Sequence, residues 1–251
     1  MIIDAPAKRH FLQLWQLWQE AFGDTEEFLE AFRKTAFTPD RCRCVLESDR
    51  VAAALYWFDC TCRGKKLAYI YAVATAKIQR GKGLCAALME NTHAHLKAQG
   101  YSGAVLVPAE EGLQRYYSKF GYAICCNATT VECKAGEQPL PLQRVSPEAY
   151  ASLRRSLLPE GSVLQEGVNL SFLASQADLF AARGLLLAAS VQNDRLIAME
   201  FLGDLALCPA IVRSRNCAHG SFRIPGGENP FAMYLPFDDA PPPTWFGLAF
   251  D

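Results

Sequence analysis

The sequence predicts an α/β protein built around a mixed sheet. Three observations carry that prediction. An apolar run at residues 69–75 ends in a glycine-bearing turn, Arg80-Gly81-Lys82-Gly83, and an amphipathic stretch follows at once; that order reads as strand, turn, helix. Two further strand-like runs precede it, so three strands meander into the turn. A short β-branched run at residues 103–107 then follows the helix, and so short a return implies a right-handed parallel crossover.

The elements follow in chain order. Phe11, Leu14, Trp15, Trp18 and Phe22 mark one face of a helix,. Gly23 ends it, and Asp24 with Glu27 reads as the capping box of a second helix. Phe28, Leu29, Phe32 and Phe37 continue an apolar face up to Pro39; aromatic stripes of this kind pack a core more often than they cage a ligand. Strands are predicted at residues 42–47 and 51–62, parted by Ser48-Asp49-Arg50, and a turn at residues 63–66 leads into the strand that ends at Thr75. Beyond the glycine turn, Cys85, Leu88, Met89, Thr92 and Leu96 mark the buried face of a helix closed by Gly100. Pro108 ends the next strand, and residues 110–119 read as a helix with acidic residues in its first turn. Strands at 123–126 and 129–133 come next, then a linker at 135–141. Ser146-Pro147-Glu148 opens a helix with a Ser cap and Pro at the first position. Asn193-Asp194 joins strands at 185–192 and 196–201, and residues 246–250 read as a final strand.

The bulk properties narrow the function. A formal net charge of -1 over 251 residues argues against nucleic acid or another polyanionic partner,. No apolar run is long enough to cross a bilayer. The N-terminus lacks the basic-then-apolar order of a secretory signal, so a cytoplasmic protein with no membrane partner is expected. Ten cysteines invite a metal reading. Cys42 with Cys44 and Cys60 with Cys62 are spaced by one residue, which places each pair on one face of a strand. Zinc sites use wider spacings, so no metal is expected and the thiols read as buried packing groups.

The chemistry concentrates in the turn. Backbone N–H groups gathered at a helix N-terminus favour an anion, and glycines let a phosphate approach the chain closely. Arg80 and Lys82 add positive charge at the same place.

At this point the residues resemble a known family. Residues from about 1 to 133 are similar to the GNAT superfamily of acyl-CoA-dependent N-acyltransferases. Its pyrophosphate loop, R/Q-x-x-G-x-G/A, is matched by Arg80 and Gly83, with Cys85 departing from the last small position. Tyr117-Ser118-Lys119-Phe120-Gly121-Tyr122 resembles its later signature, a Tyr three residues ahead of Gly and an aromatic. The resemblance implies acetyl-CoA as co-substrate, its diphosphate held by the backbone of Arg80, Gly81, Lys82, Gly83, Leu84, Cys85 and Ala86. It implies that the fourth and fifth strands splay, and that Val73, Ala74 and Thr75 pair with the pantetheine arm. Tyr117 would protonate the departing thiolate; read without the motif, it is a helix Tyr packed at a domain edge. Cys85 could in principle carry an acyl group, but nothing near it in sequence supplies a base.

The general base is not evident. Glu110 and Glu111 lie at the mouth of the fifth strand, or simply face solvent at a helix start. His93 and His95 sit two apart on a helix and face different ways, and His10 and His219 form no nucleophile–base pattern. Glu200 and the terminal Asp251 are candidates for facing the cleft.

Residues 1–136 are therefore expected to form the catalytic domain. Residues 137–251 would form a smaller, degenerate GNAT-like domain that covers the acceptor side, with Ser221-Phe222-Arg223 and residues 231–234 near that surface or packed as strands. The leading expectation is acetyl transfer to a primary amine in a ternary complex, the acceptor being a small molecule or a peptide. Near-neutral charge disfavours a polycationic acceptor. The alternative is a non-catalytic acyl-CoA-binding regulatory module. Oligomeric state is left open.

Overall fold

The computed structural model describes residues 1–250. Its first helices form where the periodicity places them. α1 (Phe11–Phe22) buries Leu14, Trp15, Leu17 and Trp18, and Gly23 closes it in the left-handed conformation. α2 (Glu26–Thr35) is capped by Thr25, whose hydroxyl accepts from Phe28 N, and not by Asp24 as the sequence suggested. Asp24 instead accepts the Trp18 indole N–H at 2.7 Å. A β-hydroxyl one residue nearer the helix has the shorter reach to the third amide, which leaves the carboxylate for the indole.

The strands β1 (Ile2–Asp4), β2 (Cys42–Glu47), β3 (Arg50–Cys62) and β4 (Lys65–Thr75) form an antiparallel set. Both central residues of the β2–β3 and β3–β4 turns, Ser48-Asp49 and Arg63-Gly64, have positive φ. These are two-residue turns whose twist matches that of the strands they join. α3 (Leu84–Ala98) crosses back to β5 (Gly103–Leu106), which runs parallel to β4. α4 (Glu111–Ser118) follows. The two strands expected after it are one, β6 (Ala123–Lys134). It stays continuous because its two ends have different partners, a pairing no local pattern announces.

The second half contributes β7 (Gln143–Arg144), α5 (Pro147–Leu157), α6 (Val168–Leu173), β8 (Asp178–Ala182), β9 (Leu185–Gln192), β10 (Arg195–Leu202), α7 (Cys208–Ser214), β11 (His219–Pro225) and β12 (Asn229–Pro236). Ser146 caps α5 as predicted, and Asn193-Asp194 makes a third turn with both φ positive. β10 and β11 are parallel, repeating the β4–β5 relation of the first half.

All twelve strands make one sheet, in the order β1-β2-β3-β4-β5-β12-β6-β11-β10-β9-β8-β7. The halves exchange strands at its centre. β12, late in the chain, lies between β5 and β6; β6 reaches across to pair with β11 through residues 128–134. The sheet is thus continuous across the expected boundary at residue 136.

α3 and α4 cover one face of the first half, over Leu55, Trp57, Ile70 and Leu106. α1, α2, α6 and the C-terminal segment cover the other, where Trp18, Phe32, Phe58, Tyr69, Phe172 and Phe246 pack together. Cys42, Cys44, Cys60 and Cys62 all lie buried on this second face. Residues 246–250 are not a strand. Trp245, Phe246, Leu248 and Ala249 are buried as irregular chain, held by Val163 N to Trp245 O (2.8 Å) and Phe250 N to the Tyr69 hydroxyl (3.2 Å). Gly247 is required there, because a Cβ would collide with the Glu200 carboxylate.

Candidate active site

The loop after β4 holds the features expected of an anion site. Gly81 and Gly83 both have φ of +76°, and Gly83 caps α3. This turns the amides of residues 81–86 outward, and none donates to an acceptor among the described residues. Nothing lies within 4 Å of where a Cβ would stand on either glycine. The result is an open row of N–H donors at the positive end of a fifteen-residue helix,. Lys82 Nζ donates to Gln79 Oε1 at 2.5 Å, and Arg80 Nε to the Thr75 carbonyl at 3.2 Å. Both side chains remain exposed.

β4 and β5 splay as anticipated. Their ladder ends at Tyr69 opposite Val105, while β4 continues to Thr75 paired with β3 alone. A bulge in that pairing puts two residues, Ala72 and Val73, opposite Leu55, and Ala72 takes φ +49°. A non-glycine residue in this region costs roughly 1–2 kcal/mol, so strain is concentrated where the strand leaves its neighbour. Of the three residues expected to present main chain to a pantetheine arm, Val73 lies on the α3 face and Ala74 packs on the opposite face. The carbonyl of Thr75 is engaged by Arg80.

Tyr117 is the one buried residue of α4 and packs beside Leu84 and Met89 of α3. Burial, reinforced by the nearby Cys85 thiol, raises its pKa well above the ordinary phenol value. The hydroxyl therefore keeps its proton at neutral pH, as a general acid must. Cys85 is half-buried against the α3 side of the sheet, and burial raises its pKa. Thr75 Oγ1 is buried and makes no hydrogen bond.

The expected bases are not brought to this cleft. Glu110 and Glu111 are exposed at the start of α4, with Glu111 paired to Arg115 at 2.6 Å. His93 is buried against the Tyr122 hydroxyl (2.9 Å), and burial with Lys97 lowers its pKa to about 4. Glu200 does not face the cleft; it is fully buried in a two-pronged pair with Arg154 (2.7 and 2.8 Å) and accepts from the Tyr150 hydroxyl. These hydrogen bonds engage both carboxylate oxygens, as a polar group this deep requires,. Asp251 lies outside the described residues.

The second half contributes an aromatic surface beside β3 and β4 that the sequence showed only in part. Phe172 of α6 stacks against Phe58, and Phe250 meets Phe58 at a tilt and also contacts Tyr69 and Tyr71 of β4. The second half thus walls the β4 face opposite α3. Of the segments singled out in the sequence, Ser221-Phe222-Arg223 lies in β11 and residues 231–234 lie in β12. Among the described residues no group of His, Cys, Asp and Glu is arranged to hold a metal, and no helix is long and apolar enough to cross a membrane.

A family model described as an acetyltransferase (GNAT) domain matches residues 3–125. The fold is similar to that of a GCN5-related N-acetyltransferase from Kribbella flavida, with TM-score 0.71, 14% identity and coverage of 93% of this chain and 70% of that one. It is similar also to a GCN5-related N-acetyltransferase from Anabaena variabilis, with TM-score 0.70, 16% identity and coverage of 93% and 72%. For Eis1 from Mycobacterium abscessus the TM-score is 0.65 at 12% identity, covering 95% and 74%. At these identities the likeness is one of fold, and it extends through both halves of the chain. No curated protein matches the sequence. The family model thus places an acetyltransferase (GNAT) domain at residues 3–125, and the fold around it is the one these structures share.

Proposed function

We propose that this protein transfers an acetyl group from acetyl-CoA to a primary amine by direct attack within a ternary complex. The observation that carries the reading is the row of unpartnered amides at residues 81–86. A diphosphate is the group whose oxygens such a row satisfies, and Arg80 and Lys82 stand beside it,. The fit is therefore good: the donors are present, the glycines leave the approach open, and β4 has main chain unpaired toward β5. The thioester, when bound, supplies an acyl carbon open to a neutral amine.

The chain's own residues then position and protonate. The amides of residues 81–86 fix the diphosphate end, and β4 from Ala72 to Thr75 aligns the arm, so the carbonyl is held rather than searching. The amine attacks that carbon, the carbon–sulfur bond breaks, and the electron pair leaves on sulfur. The Tyr117 hydroxyl delivers a proton to that sulfur, and the proton the nitrogen sheds as the amide forms returns through water to the phenolate. The acceptor ammonium loses its proton to water before attack, so turnover rises with pH toward the amine's own pKa. The aromatic wall of Phe58, Tyr71, Phe172 and Phe250 bounds the acceptor's approach. We place the catalytic unit at residues 1–136 and the degenerate unit at 137–251, with β12 and the C-terminal segment lent back to the first.

Thiol release from acetyl-CoA across a panel of small-molecule and peptide amines tests this reading. Turnover with at least one amine is expected. Tyr117→Phe should lower kcat by about 10²-fold or more with little change in acetyl-CoA affinity. Binding without any turnover would leave an acyl-CoA-binding module, and an unchanged rate in Tyr117→Phe would remove the acid role.

A further inference from the structure

The aromatic wall includes one stretch that no helix or strand holds in place. Residues 245–250 are irregular, yet two of their rings reach β4. Phe246 meets Tyr69 edge-on at 4.7 Å, and Phe250 lies 4.9 Å from Phe58 and 5.5 Å from Tyr71. Leu248, between them, points the other way, into the core beside Tyr150 and Ala151 of α5. A slip of this segment by one residue would turn both rings away from the splayed end of β4.

The connection between α5 and α6 sets that register. Residues 161–165 run between the tip of the β3–β4 hairpin and the C-terminal segment. Leu164 exchanges two backbone bonds with Thr61 of β3 (2.7 and 3.1 Å). Its neighbours bond the other side: Gly161 O accepts from Thr244 N (3.0 Å), and Val163 N donates to Trp245 O (2.8 Å). Past Trp245 Gln165 continues this pairing with its side chain. Its amide N–H donates to Leu248 O, and its amide oxygen accepts from Leu248 N at 3.2 Å. Gln165 and Leu248 are both buried. One side chain thus satisfies both polar groups of one backbone position, which no apolar residue could do. Gly247 beside it lies directly on the Glu200 carboxylate, so a residue with a Cβ cannot take its place.

We propose that Gln165 is a positioning residue for the acyl acceptor: by clamping Leu248 it fixes the register of Phe246 and Phe250 over β4, and with it the space the amine enters. This rests on the acyl-transfer reading above. Leu164 joins the β3–β4 hairpin at its turn, the end opposite the glycine loop. The clamp therefore acts on the acceptor and leaves the diphosphate site alone, while wall and donor strand share one frame.

Two measurements on the full chain test it. The first needs no turnover. Gln165→Met keeps the length of the side chain and removes both bonds. In hydrogen–deuterium exchange, peptides covering residues 245–250 should open about tenfold faster in the variant, with those covering residues 81–86 unchanged. Equal exchange at residues 245–250 would overturn the clamp whatever the enzyme does. If the variant does not fold, the wild type decides: by NMR its Leu248 amide should exchange about tenfold more slowly than that of Gly247, which has no acceptor among the described residues,. Equal rates at the two amides would overturn the clamp. The second measurement is kinetic and uses the amine of the panel that turns over fastest. Gln165→Met should raise KM for that amine roughly five- to twentyfold, with kcat and acetyl-CoA affinity held within about twofold. An unchanged amine KM, or an equal loss of acetyl-CoA affinity, would overturn the positioning role. A wild type that releases no thiol with any amine would refute the acyl-transfer reading and this role with it, while the exchange result would still decide whether Gln165 holds the segment.

Discussion

At the residue scale the chain separates groups by what surrounds them. Tyr117 and His93 are both enclosed by the α3 face of the sheet, and burial pushes each toward its neutral form. For Tyr117 this keeps the hydroxyl protonated at neutral pH, as the proposed acid role requires. For His93 it has a stability consequence. The folded-state pKa, about 4, lies below the ordinary imidazole value of 6.5, so the unfolded chain takes up a proton first as pH falls. Stability is complete above pH 6.5 and declines toward pH 4, by up to about 3 kcal/mol from this group. Urea unfolding at pH 7 and pH 5 should show a smaller loss in His93→Gln than in the wild type; equal losses would contradict the assignment. Residue identity was legible where chemistry is local. Arg80, Gly83 and Tyr117 were singled out by a family resemblance that short local motifs carry, whereas the buried pairing of Glu200 was not foreseen, because its partner Arg154 lies 46 positions away on α5.

At the element scale the strand exchange dominates. β6 and β12 are each completed by the other half of the chain. β5 pairs with β4 over only three residues before the splay, and its other edge is covered by β12. A protein cut after residue 136 therefore leaves β5 with an open edge and exposes the aromatic face that Phe172, Phe246 and Phe250 cover,. Such a fragment should aggregate or show no cooperative melting by circular dichroism. Adding residues 137–251 back as a separate chain should restore a soluble complex. A fragment that melts cooperatively alone would show that the exchange is dispensable. The hairpins were readable in the sequence because a two-residue turn fixes both partners at once. β12 was visible only as an apolar run, since its neighbours β5 and β6 lie more than a hundred residues earlier.

At the scale of the whole molecule, one sheet carries two differently used units. The first has the open amide row, the splay and the buried tyrosine. The second repeats the parallel pair and its crossover in β10, α7 and β11, but α7 spans only seven residues and no glycine turn opens it. Its contribution is the wall: α6 and residues 245–250 are laid over β3 and β4 by the buried Arg154–Glu200 pair and the Arg154 contact to Val163 O. The glycine loop was legible because strand, turn and helix are contiguous in sequence. The aromatic wall was not, because it joins Phe58 and Tyr71 to Phe172 and Phe250, which lie far along the chain.

The most direct test of the account is a titration of the ¹⁵N-labelled protein with CoA, followed by its amide resonances. The amides of residues 81–86 should show the largest shifts, those of Ala72 to Thr75 smaller ones, and Arg80→Glu should weaken the titration by at least tenfold. Saturation of the protein with CoA while residues 81–86 stay unmoved would contradict the placement of the diphosphate, and with it the proposed route of acyl transfer.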